Sequence, residues 1–215
     1  MAYEIVILTP TPEDAAVWLS NNLFFTPIGP NIMQNGSCTL RLQKGTPEPA
    51  PPLAKCQYAA GVAHLALRTA DIKKALAHCK AQGLDLVLAD GHEFYNPKVY
   101  GAGEYYFNIR SPFGVTVEVS QHVQGADYGQ NRLIEGLDHI GVPCTDFEAQ
   151  LACLLGQGFT REFVPVTNHN DTEGTIRCCM MRKDQLVLEI YQFLDMIPVP
   201  VQNHAPLQLH GVVLA

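Results

Sequence analysis

The sequence has little positive charge and no long apolar run, and both absences exclude classes of function. Its 14 lysines and arginines are outnumbered by 21 aspartates and glutamates, which gives a formal net charge of −7. A nucleic-acid-binding surface needs a basic stripe, and the sequence contains none. No apolar stretch approaches the length needed to cross a bilayer, and the opening residues lack the basic segment of a signal peptide. We therefore expect a cytoplasmic protein with neither nucleic acid nor membrane as a partner.

The sequence also lacks any CxxC pair or regular cysteine spacing, although it contains seven cysteines. A zinc ribbon or a disulfide framework is therefore not indicated. Cys178 and Cys179 are adjacent, so in a strand they would point to opposite faces and would not share a metal. The hydrophobic content of 47% is that of an ordinary globular protein. We expect reduced thiols that are mostly buried in strands and helices.

What the sequence does contain is a repeated unit. The stretches "GVAHLALRTADIKKAL" (61–76) and "GLDHIGVPCTDFEAQL" (136–151) each carry a histidine in an alternating strand, followed by an aspartate and a helical pattern. The histidines, His64 and His139, are 75 positions apart (139 − 64). Three further strands follow each helix, so each unit reads strand, helix and three strands. Self-similarity of this kind indicates one supersecondary unit built more than once.

The repeat divides the chain into four segments. The first unit is shorter than the others and degenerate, the second and third are complete, and the tail contains "LQLHGVVLA", which is similar to the opening strand of a fourth unit. The predicted segments are residues 1–55, 59–122, 134–194 and 195–215. Each of the first three should contain one helix.

The helices have recognisable starts. We predict that they begin near Pro12, Ile72 and Phe147. Asp71 and Asp146 immediately precede the second and third helices, and aspartate is a preferred N-cap because its carboxylate accepts a hydrogen bond from the first helical turn.

The histidine that opens each complete unit and a glutamate near its end are predicted to share a sheet face. In the closing strands, apolar residues alternate with Glu118 and with Glu189, as they do around His64 and His139. The histidine-to-glutamate intervals are similar, at 54 (118 − 64) and 50 (189 − 139) residues. One strand histidine alone is ordinarily structural, but two imidazoles and two carboxylates at matched positions can bind one divalent ion. We predict a metal site made of these four residues.

The motifs "HLALRTADIKKA", "HIGVPCTDFEA", "YYFNIRSPFGVTVEVSQ" and "LVLEIYQF" resemble the vicinal oxygen chelate superfamily. That group includes glyoxalase I, extradiol dioxygenases, methylmalonyl-CoA epimerase and bleomycin-resistance proteins. The resemblance covers nearly the whole chain. It implies an α+β fold in which βαβββ modules form a cup of curved mixed sheets with the helices outside. It also implies that the ligands are His64, Glu118, His139 and Glu189, a set that is more similar to glyoxalase I than to the other members.

The resemblance further implies a function. A glyoxalase-like lyase or isomerase, of the lactoylglutathione-lyase type, would use a divalent zinc, nickel or iron ion to polarise two vicinal oxygens of a small substrate. Glu189, with Glu118 as the alternative, would move the proton. An Fe(II) extradiol-type dioxygenase and a non-catalytic small-molecule-binding protein of the bleomycin-resistance type stay as alternatives. Arg110 and Lys98 are candidates for contacting glutathione, with solvated surface charges as the other interpretation.

The odd number of units leaves their pairing open. Pairing the second with the third completes the four-ligand site, and we favour it. Pairing the first with the second would instead let His210 approach His139 and Glu189. The first unit carries Glu4 and Arg41 where the others have histidine and glutamate, and a guanidinium does not bind a cation. Unpaired sheet edges are usually covered, so we expect a homodimer that hides the first unit or the terminal strand.

Overall fold

The computed structural model describes residues 4–46, 57–61, 63–125, 131–171, 174–200 and 207–210. Within these ranges the chain forms three α-helices and seventeen β-strands. The first unit contains β1 (Glu4–Thr9), α1 (Pro12–Leu23), β2 (Thr26–Gly29), β3 (Ile32–Asn35) and β4 (Cys38–Lys44), and β5 (Gln57–Ala60) follows it. The second contains β6 (His64–Arg68), α2 (Ile72–Ala81), β7 (Asp85–Val87), β8 (Phe94–Asn96), β9 (Glu104–Arg110) and β10 (Thr116–His122). The third contains β11 (Leu137–Pro143), α3 (Phe147–Gly156), β12 (Thr160–Arg161), β13 (Val166–Asn170), β14 (Gly174–Lys183) and β15 (Leu186–Phe193), and β16 (Ile197–Pro200) and β17 (Leu207–His210) come last.

The helices begin at the predicted residues, Pro12, Ile72 and Phe147. The two predicted N-caps are formed. The side chain of Asp71 accepts a hydrogen bond from the backbone N–H of the third helical residue at 3.0 Å, and Asp146 does the same at 3.0 Å. Each bond satisfies a donor that the helix itself leaves unpaired. In the part of the chain described, no helix is long and apolar enough to span a membrane.

The second and third units share one curled, ten-stranded mixed sheet. Its order is β12-β14-β15-β11-β6-β10-β9-β7, with β13 paired to β14 and β8 paired to β9. The first strands of the two units, β6 and β11, lie side by side and antiparallel, and each is flanked by the last strand of its own unit in parallel. The favoured pairing of the second unit with the third is therefore confirmed, and the α+β fold with a half-barrel sheet is as predicted.

The first unit forms a separate five-stranded sheet of order β17-β1-β4-β3-β2. The terminal strand β17 is antiparallel to β1, with His210 opposite Glu4. The alternative in which the first unit pairs with the second, and His210 approaches His139 and Glu189, is therefore wrong: β17 is hydrogen-bonded into the other sheet.

The strand registers show which positions of the first unit correspond to the predicted ligands of the other two. Each complete unit has a histidine position in its first strand and a glutamate position in its last strand. The residue two positions after the histidine pairs with the glutamate across the ladder, and the first unit has the same pairing. The three pairs are Val6 with Arg41, Ala66 with Glu118, and Gly141 with Glu189. By this register, Glu4 and Arg41 occupy in the first unit the positions that His64 and Glu118 occupy in the second.

One hydrophobic core runs through all three units. Leu19 of α1, Leu76 of α2 and Leu154 of α3 are buried in the same cluster as the helix-facing residues of the strands. Burying a leucine contributes roughly 1.5–3 kcal/mol each, so this layer fixes the helices outside the sheets. The buried amide of Asn35 also joins the first unit to the segment before β11, because it donates to the carbonyls of Leu23 (2.6 Å) and Ile134 (3.1 Å).

Candidate metal centre

Four neighbouring strands in the middle of the ten-stranded sheet each present one predicted ligand on the concave face. In the order β15, β11, β6 and β10, these are Glu189, His139, His64 and Glu118. The alternate residues of the same strands, such as Leu65 and Val117, point to the helix-covered core. The site is well shielded, since His139 is 1% exposed, Glu118 is 6% exposed and His64 is 8% exposed.

Both predicted carboxylates lie close to the Nε2 atoms of both histidines. The Nε2 atoms of His64 and His139 are 3.1 Å apart. Glu189 Oε2 is 3.5 Å from both of these nitrogens. Glu118 is 3.5 Å from His139 Nε2 and 3.9 Å from His64 Nε2. Ligands bonded to a zinc-like ion at about 2.1 Å stand roughly 3.0–3.4 Å from one another. The donor types and their separations therefore fit a divalent cation.

The hydrogen bonds among these groups set their charges. Burial alone would raise the pKa of Glu189, but hydrogen bonds from His139 and His64 outweigh burial and lower the pKa to about 2. Burial would lower the pKa of His139, yet hydrogen bonds to Asp138 and Glu189 raise that pKa well above its ordinary value. Glu189 is thus ionised at neutral pH. A cation entering the site must displace the proton held by His139.

Gly141 makes room for one of the histidines. It lies directly across from His64 in the β6–β11 ladder. A Cβ atom added to Gly141 would be 2.0–2.3 Å from Cε1, Nδ1 and Nε2 of the His64 ring. Such distances are far inside van der Waals contact, so the imidazole can occupy this position only because residue 141 has no side chain.

A β-bulge positions the other histidine. Ile140 pairs with Leu65 and Leu137 pairs with Leu67, so the two residues Asp138 and His139 stand opposite Ala66 alone. In a regular strand these neighbours would point to opposite faces. The bulge instead lets Asp138 Oδ2 lie 2.8 Å from His139 Nδ1. The sequence analysis assumed regular alternation here and missed Asp138.

Asp138 is the centre of a buried polar network. Its carboxylate also accepts hydrogen bonds from Arg68 Nε (3.0 Å), Tyr100 Oη (3.2 Å) and His122 Nε2 (3.3 Å). Burial would raise the pKa of Asp138, but the bonds from His122 and His139 hold it well below its usual range. One sequence signal was available: "LDHI" places an aspartate beside a histidine in a strand that must bury both.

Glu104 lies at the far side of the same network. It accepts a hydrogen bond from Ser120, and its Oε1 is 3.9 Å from His122 Nε2. Burial raises the pKa of Glu104 from 4.5 to about 7, although the nearby His139 and His122 oppose this. Donor atoms of Glu104, His122 and Asp138 lie within 4.8 Å of one another. Because Arg68 already neutralises Asp138, a cation there would have to compete with the guanidinium.

The predicted ligands line the floor of a cavity of about 320 Å³. His64, Glu118 and Glu189 reach it, whereas His139 lies behind them. The aromatic part of its wall includes Tyr106 and the polar part includes Arg110. Tyr106 was not among the predicted site residues, and the cavity places it at the site. A volume of this size suits a small molecule.

Arg110 and Lys98, the two basic residues predicted as candidates for substrate contact, do not lie together in the structure. Arg110 lines the cavity, and its Nη1 is 3.3 Å from Asp85 Oδ1. Lys98 is not among the cavity-lining residues and donates through Nζ to the carbonyl of Thr167 in β13. It belongs to the loop between β8 and β9, whose Val99 is fully buried with Cys178, Met180 and Val187. This loop therefore bridges the second and third units.

The comparisons with known proteins agree with this architecture. Residues 28–119 match the family model of the Glyoxalase/Bleomycin resistance protein/Dioxygenase superfamily. This match over part of the chain supports the predicted resemblance to the vicinal oxygen chelate superfamily. Two glyoxalase I variants from Zea mays have a fold similar to that of this chain, at 13% identity each. One has a TM-score of 0.62 and covers 91% of this chain and 70% of its own, and the other has a TM-score of 0.58 and covers 91% and 69%.

Another solved structure matches the chain at a lower TM-score. A methylmalonyl-CoA epimerase from Mycobacterium tuberculosis is 16% identical, with a TM-score of 0.46, and the match covers 62% of this chain and 87% of that one. No curated protein sequence matches the chain.

Proposed function

We propose that the protein is a metal-dependent, glyoxalase-like enzyme that moves a proton between neighbouring carbons of a small substrate with vicinal oxygens. The observation that carries this proposal is that two carboxylates beside the cavity each lie 3.5–3.9 Å from both imidazole Nε2 atoms, which are themselves 3.1 Å apart. In this proposal His64, Glu118, His139 and Glu189 hold one divalent zinc, nickel or iron ion. The ion, when bound, supplies Lewis-acid polarisation of the substrate oxygens.

Glu189 is the proposed proton acceptor. Its pKa of about 2 keeps it ionised at neutral pH, and it lines the cavity. Its side chain is 16% exposed, compared with 7% for Glu118, so an entering substrate meets Glu189 more readily. Held beside both histidines, Glu189 can take a proton from one carbon and return it to the next. Glu118 is the alternative for the same role.

The cavity limits the substrate class. At about 320 Å³ it accommodates a small molecule or one end of a larger one. The structural likeness to glyoxalase I and the cation at the wall, Arg110, support a lactoylglutathione-lyase type of reaction.

A second candidate is an Fe(II) extradiol-type dioxygenase. The donor atoms of His64, Glu118 and His139 lie within 4.8 Å of one another. Two histidines and one carboxylate are the ligand set of non-haem Fe(II) oxygenases. In that case Glu189 would be a cavity carboxylate and not a ligand.

The test begins with metal content. The protein is refolded with excess zinc, nickel or iron(II), and bound metal is measured by mass spectrometry. We expect one ion per chain, lost in His64→Ala and in His139→Ala but kept in His169→Ala, whose histidine is exposed on β13. Wild-type protein that binds none of these metals stoichiometrically would sink the proposal and favour a non-catalytic binding protein.

The reaction is tested on the metal-loaded protein. Conversion of methylglyoxal and glutathione to lactoylglutathione is followed, with a catechol and oxygen as the dioxygenase arm. We expect Glu189→Gln to keep most of the metal while the proton-transfer rate falls by about 100- to 10,000-fold. The matched control is Glu148→Gln, which changes an exposed carboxylate bonded to Arg177. Ring cleavage of the catechol without lactoylglutathione formation would replace the first candidate with the second.

A further inference from the structure

The bulge in β11 places a carboxylate behind one predicted ligand. Asp138 and His139 together face Ala66, and the carboxylate of Asp138 lies 2.8 Å from Nδ1 of the His139 ring. Both residues are buried, at 2% and 1% exposure. A buried polar pair of this kind needs hydrogen-bond partners on all sides to be tolerated. The surroundings supply them.

Asp138 is held from four directions. Oδ1 accepts from Arg68 of β6 at 3.0 Å, and Oδ2 accepts from Tyr100 at 3.2 Å. His122 of β10 approaches Oδ1 at 3.2 Å, and its ring stacks on Tyr100 with centroids 3.7 Å apart. These donors come from two strands and a loop outside β11, so the orientation of the carboxylate does not depend on the bulge alone.

The arrangement fixes which nitrogen of His139 keeps its hydrogen when the ring gives up one proton. An ionised carboxylate only accepts hydrogen bonds, so Nδ1 must carry its hydrogen. Both carboxylate oxygens of Asp138 already accept hydrogen bonds, Oδ1 from Arg68 and Oδ2 from Tyr100, as expected for a group that donates none. The remaining nitrogen, Nε2, faces His64 Nε2 at 3.1 Å and Glu118 at 3.5 Å. That is the nitrogen which the proposed cation would use.

We propose that Asp138 is a positioning residue that locks His139 into the Nδ1–H tautomer and aims its Nε2 at the metal site. Tyr100, His122 and Arg68 hold Asp138 in place, so the loop between β8 and β9 contributes to metal affinity without touching the metal. This inference rests on the proposed metal site.

The informative variant is Asp138→Asn. An amide offers one acceptor oxygen and turns its NH₂ group toward donors such as Arg68 Nε, so it cannot accept from all four partners. Loss of such an outer partner typically costs about 10- to 100-fold in metal affinity. We expect a loss of that size for Zn²⁺ and Co²⁺ measured by calorimetry, and a smaller, several-fold loss for Tyr100→Phe. The control is Asp146→Asn, because asparagine caps a helix as well as aspartate.

Two measurements separate positioning from general destabilisation. Long-range ¹H–¹⁵N spectra of the metal-free protein, recorded at a pH high enough for the His139 ring to be neutral, report its tautomer, which we expect to be Nδ1–H in the wild type and mixed in Asp138→Asn. The visible spectrum of the Co²⁺ protein should shift in the same variant. A folded Asp138→Asn protein with wild-type affinity and an unchanged tautomer would overturn the inference.

The design also distinguishes the two proposals. If the wild-type protein binds no metal, the proposed function fails. The tautomer measurement then still decides whether Asp138 sets the His139 ring: a mixed tautomer in Asp138→Asn supports that, and an unchanged one contradicts it.

Discussion

At the scale of single residues, the site depends as much on an absent side chain as on those present. Gly141 has an ordinary backbone conformation for any residue, since its φ is not positive, so its requirement is purely steric. His64 occupies the space where a Cβ would lie. The histidine and the glycine come from different units and meet only through the β6–β11 ladder.

We predict that Gly141→Ala displaces the His64 ring and weakens metal binding at least tenfold. Overpacking of this kind should also cost roughly 1–3 kcal/mol of stability. The control is Gly156→Ala, which has no atom within 4 Å of the added Cβ and lies in α3, where alanine should stabilise by roughly 0.5–1 kcal/mol. Calorimetry and urea unfolding on both variants check this. Wild-type metal affinity in Gly141→Ala would show that the ring can move aside.

The charge of His139 predicts how metal affinity depends on pH. Its pKa is raised by Asp138 and Glu189, so the ring is protonated at neutral pH and metal must displace that proton. Affinity for Zn²⁺ should therefore rise as pH increases from 6 toward the raised pKa. Calorimetry in two buffers of different ionisation enthalpy should show proton release. Binding with no proton release would contradict the protonation state inferred for His139.

The raised pKa of Glu104 predicts that the stability of the protein also depends on pH. Because its pKa rises from 4.5 to about 7 on folding, the folded state binds the proton more tightly. The stabilisation is complete below pH 4.5 and is lost as pH rises through 7, a change of roughly 3 kcal/mol. Glu104→Gln should remove this part of the pH dependence, and Glu13→Gln, on the surface of α1, should not. The melting temperatures of the wild type and Glu104→Gln are compared from pH 4.5 to 8. A difference between them that does not change with pH would contradict the prediction.

At the scale of elements, local sequence patterns predicted the helix starts and the strand faces, whereas the β-bulge depends on how two strands align. Helix starts followed from Pro12 and from the aspartates before Ile72 and Phe147, because capping is a local interaction. The faces of His64, Glu118 and Glu189 followed from alternation. The bulge did not, since it depends on how β11 aligns with β6, and that register is not written in either segment alone. Asp138, Tyr100 and His122 were missed for this reason.

The loop between β8 and β9 is a structural tie between two units. Val99 is fully buried in a cluster with Cys178, Met180 and Val187 of the third unit. We predict that Val99→Ala costs roughly 1–3 kcal/mol by leaving a cavity there. Val164→Ala, at a position that is 72% exposed, should change stability by less than about 0.5 kcal/mol. Urea unfolding of the two variants provides the comparison, and equal midpoints would mean that the loop does not tie the units.

At the scale of the whole molecule, the sequence left the pairing of units open because the repeats look alike at their edges. The antiparallel contact of β6 with β11 resolves it, and the contact of β17 with β1 follows the same antiparallel pattern. The division of the chain at residues 1–55, 59–122, 134–194 and 195–215 stays a prediction.

We predict a homodimer that covers part of the first unit. Its sheet ends at β2, an edge strand with Ile28 55% exposed, and such edges are usually covered. Light scattering at micromolar concentration should give twice the chain mass of 23.6 kDa. A monodisperse monomer under these conditions would contradict the prediction.

The ladder between β6 and β11 divides the ligand set evenly, with one histidine and one glutamate on each side. A cation bound by all four ligands would link the second unit to the third, which are separate stretches of the chain. Binding and docking of the halves would then be a single equilibrium, and metal at one hundred times its dissociation constant would add about 2.7 kcal/mol to the stability of the closed cup. Neither half contains the whole ligand set, so a chain cut between residues 125 and 131 should dissociate at a lower urea concentration once a chelator removes the metal.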